Sequence, residues 1–174
     1  LEALRASDRD FDACVADSRA SVAALRAAQP PCPETYAATW ELATYLNWSC
    51  LVAPAGFLKR EGMLMSKNWM TGVWSWDHCF NALALRHGDP ELAWHQFMTQ
   101  FDQQNAQGAL PDLINARVMI RAYVKPPIHG WTFQQLWDAA PDFYTADRLA
   151  EAYRKLGAWT DYWMTDRKEH TSEL

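Results

Sequence analysis

Between Met65 and Phe80 the chain reads Met-Ser-Lys-Asn-Trp-Met-Thr-Gly-Val-Trp-Ser-Trp-Asp-His-Cys-Phe, with neither the period of a helix nor the alternation of a strand. It gathers Trp74, Trp76 and Phe80 around a single carboxylate, Asp77, with His78 beside it. Flat rings suit the apolar face of a pyranose and a carboxylate accepts hydrogen bonds from its hydroxyls, so this is the composition of a sugar subsite. A plainer reading stands next to it. An apolar helix follows from Cys79 to Arg86, which puts Asp77 near a helix N-terminus, where a carboxylate caps free N–H groups. His78 likewise offers a ring nitrogen either to a ligand or to the turn.

Further polar candidates lie in the next long connection. Asp112, in Leu-Pro-Asp-Leu, can reach the same pocket or form an Asx turn. Lys125 precedes two prolines, which restrict its backbone, and suits either a sugar hydroxyl or a carboxylate partner. Gln103 and Gln104 close a helix at the level of these loops, where amides suit hydroxyl recognition. His129 resembles His78 in its options, and neither has metal-ligand spacing. Cys14, Cys32, Cys50 and Cys79 form no Cys-x-x-Cys pair and have no partnering histidine cluster, so no zinc site is expected. Buried free thiols and a reducing, cytoplasmic setting are the expectation.

The elements that must position these residues are helices. An alanine-rich pattern runs from Leu1 to Ala28 and stops at Pro30-Pro31-Cys32-Pro33; Glu34 opens a second helix through Tyr36, Trp40, Tyr45 and Trp48. Phe57 to Trp76 reads as irregular, and Ser75 or Asp77 starts a third helix that stops at His87-Gly88. Asp89-Pro90 begins a fourth through Trp94, Phe97 and Phe101, with Asp89 as cap. After an irregular stretch from Ala109 to Pro127, a fifth spans Ile128 to about Ala140, and a sixth spans about Tyr144 to Thr165 with Leu149, Tyr153, Leu156 and Trp163 on one face. No run reads as a buried strand, and Trp131 and Trp137 read as core. The expectation is an all-α chain of three successive helix pairs with its chemistry in the long loops.

The chain has 174 residues and a net charge of -5, with no basic block, which counts against a nucleic-acid partner. No apolar run approaches the roughly 18 residues of a membrane span, and no signal-peptide pattern opens the chain. Ten Trp, six Tyr and seven Phe exceed what a small helical core requires, so some rings are expected to face a groove.

At Val73-Trp-Ser-Trp-Asp-His-Cys-Phe the sequence resembles the (α/α)6-barrel enzymes of glycoside hydrolase family 63 and the related mannosylglycerate and glucosylglycerate hydrolases. The likeness continues in order through Gly88-Asp-Pro-Glu-Leu-Ala, Gly108-Ala-Leu-Pro-Asp and Lys125-Pro-Pro-Ile-His-Gly-Trp. It implies a partial (α/α)6 barrel, an oligosaccharide or glucoside substrate, sugar binding by Asp77, and Trp74 and Trp76 as walls of that subsite. It also implies an inverting α-glucosidase-like reaction that uses no metal and no organic cofactor. The family's general acid lies beyond the helix corresponding to residues 144–165 in a Gly-x-Asp context, with its general base further on; neither motif occurs here. The resemblance therefore makes residues 1–168 an N-proximal catalytic-domain fragment, inactive alone, whose partner is the rest of its own domain. Residues 169–174, Glu-His-Thr-Ser-Glu-Leu, read as a non-native tail. Two alternatives share the same loop: a non-catalytic carbohydrate-binding helical module, and a trehalase- or debranching-type (α/α)6 glycosidase.

Overall fold

The computed structural model describes residues 10–123 and 125–165. The suspected tail and the opening of the first predicted helix lie outside the described residues. Six α-helices are present among those described: α1 (Phe11–Ala28), α2 (Ala37–Ser49), α3 (Asp77–Leu85), α4 (Pro90–Met98), α5 (His129–Ala139) and α6 (Ala146–Met164). They follow one another as three pairs, a mostly helical architecture consistent with an arc of an (α/α)6 barrel. None is long and apolar enough to cross a membrane.

Local chemistry explains most boundaries. The Asp10 carboxylate caps α1 by accepting from the Ala13 amide at 2.7 Å, and Asp89 caps α4 by accepting from Leu92 at 2.9 Å, with Pro90 at the first helical position. On α3 the buried residues His78, Ala82 and Leu85 recur at helical spacing and turn one face inward. Helix α4 buries Leu92, Ala93, Trp94, Gln96, Phe97 and Met98, so it is enclosed nearly all round and forms the centre of the domain. Phe97 meets Phe101 and Phe133, and Trp94 meets Tyr144, at centroid separations of 5.3, 5.7 and 5.9 Å. These rings, with Leu85, Met98 and Leu136, make the main core.

Four expectations require correction. Five strands of two residues each are present: β1 (Leu51–Val52) pairs antiparallel with β2 (Gly62–Met63), while β3 (Val73–Trp74), β4 (Leu113–Ile114) and β5 (Met119–Ile120) form a small antiparallel sheet. Strands this short carry no alternation to read. Helix α4 ends at Met98, and Phe101–Gln103 is a tighter 3-10 turn, a common way to close a helix. Trp131 is 54% exposed, because six residues on a helix leave it about 120° around the axis from Trp137; Tyr153 is 83% exposed for a related reason, standing outside the stripe of Leu149, Leu156 and Trp163. Of the four cysteines, all free, only Cys79 is buried.

Candidate functional site

The Trp74–Phe80 segment is built where the small sheet meets the first turn of α3. Val73 pairs with Ile114 and Trp74 with Leu113, and the Ser75 amide donates to the Asp112 carbonyl at 2.9 Å. The backbone at Gly72 packs closely on this pairing, and a Cβ there would stand 2.9 Å from Leu113 Cδ1, so that side chain would have to shift. From beneath, buried Gln100 of the turn after α4 donates its amide to the Val73 carbonyl at 2.6 Å. Gln96 of α4 accepts from the Met63 amide at 2.7 Å and donates to the Glu61 carbonyl at 3.0 Å. Two fully buried glutamines therefore hold the backbone of the connection between α2 and α3. Sequence reasoning passed over both, although glutamines four apart, one in α4 and one just past its end, amid Trp94, Phe97, Met98 and Phe101 are a legible sign of buried backbone partners.

Asp77 is the first residue of α3, and Trp76 occupies the cap position without a side-chain cap bond. Among the described residues no hydrogen bond or ion pair reaches the half-buried Asp77 carboxylate, so the capping role that competed for it is not the one observed. Trp76 and Phe80 lie one helical turn apart with ring centroids at 5.8 Å, and Phe80 is 45% exposed. Trp74 is half-buried. An unpartnered acceptor with exposed ring faces beside it can take hydroxyl donors and a flat apolar ligand surface together.

Asp112 arrives beside this segment through its carbonyl contact with Ser75. Its carboxylate is 8% exposed and lies 3.2 Å from Lys125 Nζ. That approach makes an ion pair but misses hydrogen-bond geometry, leaving Oδ1 buried with an open acceptor site. Lys125 is the more exposed of the two, at 38%. Gln104 is not brought to the site: its amide protons go to the Gly108 carbonyl at 2.8 Å and the Lys155 carbonyl at 3.0 Å, tying the turn after α4 to α6. Gln103 is spent similarly on the Phe57 carbonyl at 2.7 Å.

His78 and His129 are fully buried, against the expectation that His78 meets a ligand. Their rings lie 5.0 Å apart, and Cys79 joins them, with one ligand atom from each of the three within 4.8 Å of the others. The lone pairs are otherwise engaged. His78 Nδ1 donates to the Trp74 carbonyl at 3.1 Å, which leaves Nε2 to accept from the Cys79 thiol at 3.7 Å. His129 Nδ1 accepts from the Trp159 indole at 3.1 Å. A histidine that ligates a metal ordinarily donates through its other nitrogen; His78 does so, but His129, whose Nδ1 accepts from Trp159, does not, so the three residues do not make a full ligand set. Burial pushes the Cys79 thiol up to about 12, which rules it out as a thiolate nucleophile near neutrality. Burial lowers His129 to about 4, partly offset by the Ser75 carbonyl facing it. Burial, then the neighbouring His129, holds His78 well below its ordinary value.

A groove of about 790 Å³ between α1 and α2, lined by Val22, Ala23, Trp40, Tyr45 and Trp48 among others, contains no carboxylate and lies in a different part of the chain from Asp77. Residues 70–174 match the family model of the mannosylglycerate hydrolase MGH1-like glycoside hydrolase domain. That stretch contains β3 to β5, α3 to α6 and every candidate site residue. No curated protein matches the chain.

Proposed function

The chain belongs to the mannosylglycerate hydrolase MGH1-like glycoside hydrolase domain family, and we propose that its Trp74–Phe80 segment forms the sugar-binding side of an inverting, α-glucosidase-like pocket. The observation that carries this is the Asp77 carboxylate, left without a partner among the described residues at the start of α3, next to the rings of Trp76 and Phe80. Asp77 accepts hydrogen bonds from adjacent hydroxyls of the hexose, while Trp74, Trp76 and Phe80 cover its apolar face. Lys125, held by Asp112, donates to a further hydroxyl at the rim.

Inverting hydrolysis needs one carboxylic acid to protonate the leaving oxygen and one carboxylate to take a proton from the attacking water, about 6.5–9.5 Å apart. Asp112 is committed to Lys125, and Asp77 to binding, so in this reading the acid and the base come from other segments, and this chain supplies recognition without turnover.

Titration of the purified protein with methyl α-D-glucopyranoside by calorimetry tests the reading. Saturable binding is expected, weakened at least about tenfold in Asp77→Ala, equivalent to roughly 1.4 kcal/mol. Equal binding by the variant would refute the assignment of Asp77. Asp77-dependent release of nitrophenol from an aryl α-glucoside would overturn the division between recognition and catalysis.

A further inference from the structure

We infer that His78 and His129 are positioning residues for the Asp77 subsite, a pair of buried imidazoles of opposite tautomer that hold the consecutive carbonyls of Trp74 and Ser75. The inference rests on the sugar-site reading of Asp77 for its functional meaning, but its geometry is independent of that reading.

His78 belongs to α3, His129 to α5, and Trp159, which bonds His129, to α6. The indole of Trp159 is a donor only, so the Nδ1 of His129 that receives it at 3.1 Å carries no proton. The proton of neutral His129 is therefore on Nε2. That atom is buried and lacks a partner of good geometry, while the Ser75 carbonyl faces the same ring. A buried N–H is costly to leave unmade, and Ser75 is the acceptor available to it. In His78 the roles are reversed: Nδ1 carries the proton given to Trp74 at 3.1 Å, and Nε2 is the acceptor. Two adjacent peptide carbonyls, immediately before the cap and first residue of α3, are thus met from the core by side chains of two different helices, His78 bonding that of Trp74 and the His129 ring facing that of Ser75. Packing among α3, α5 and α6 is thereby transmitted to the backbone that aims Trp74, Trp76 and Asp77.

Long-range 15N–1H correlation at neutral pH reads the tautomers directly. His78 is expected as the Nδ1–H form and His129 as the Nε2–H form; either residue in the other form overturns the inference. His129→Gln retains an acceptor for Trp159 and a donor for Ser75, whereas His129→Phe fills the ring volume and offers neither. Affinity for methyl α-D-glucopyranoside is expected to stay within about threefold in the glutamine variant and to fall at least about tenfold in the phenylalanine variant. Wild-type affinity in a folded His129→Phe protein refutes the positioning role, and if that variant does not fold the tautomers decide. Should the wild type bind no sugar, the proposed function fails, while the tautomers still report whether the imidazoles hold these carbonyls.

Discussion

Acidifying the protein from pH 7 to pH 5 loads protons onto an unfolded chain that the folded one refuses. An exposed histidine titrates at 6.5, and burial lowers His129 to about 4. Its contribution to stability is complete above 6.5, falls as the pH drops through that window, and levels off below 4. Integrated from pH 7 to pH 5, the difference in bound protons amounts to about 1.3 pK units, or about 2 kcal/mol of unfolding free energy. His78 acts in the same direction, because burial and the neighbouring imidazole hold it well below its ordinary value. Urea unfolding followed by tryptophan fluorescence, at closely spaced pH values between 7 and 5, measures the slope. The same series on His129→Gln, which has no titrating group at that position, isolates the histidine: the wild type should lose about 2 kcal/mol more than the variant over this range. Parallel slopes would refute the reasoning, since they would mean that His129 takes up its proton as readily folded as unfolded.

Three further outcomes follow from packing and backbone geometry. Phe97→Ala, in the centre of the ring cluster and fully buried, should cost about 3–5 kcal/mol in chemical unfolding, because the enclosed α4 has little freedom to collapse into the space. Gly108→Ala should destabilise by more than about 1 kcal/mol, since its φ of +89° disfavours a side chain and a Cβ would sit 2.1 Å from the Ala158 carbonyl; an unchanged melting temperature would contradict the close approach of that turn to α6. Asp102→Asn should cost about 1–3 kcal/mol, measured by urea unfolding, because the half-buried Arg60 guanidinium makes paired hydrogen bonds of 2.8 and 3.0 Å to that carboxylate.

The helices were legible because each carries its own local signals. Asp89-Pro90 starts α4 in the sequence and in the structure, Pro30 to Pro33 separate α1 from α2, and the order of the helix pairs follows from those punctuation marks. The cluster of Trp74, Trp76, Asp77 and Phe80 was legible for the same reason: seven consecutive positions contain it, and the family match spans it.

What the chain order could not reveal is which polar groups are already spent. Gln104 and Lys125 both read as candidates for hydroxyl recognition, and only the approach of Lys155 and Asp112, from 51 and 13 positions away, commits one to backbone carbonyls and the other to an ion pair. His78 sits next to Asp77 in sequence, yet one helical residue turns it by about 100° into the core, where His129 and Trp159 await it. Hydrogen-bond satisfaction belongs to partners distant in sequence, whereas caps, helix periods and local clusters are written within a few residues. Composition and local spacing determined the helices and the identity of the sugar-binding candidates; tertiary contact decided that, among the described residues, the Asp77 carboxylate stays unpaired while its neighbours do not.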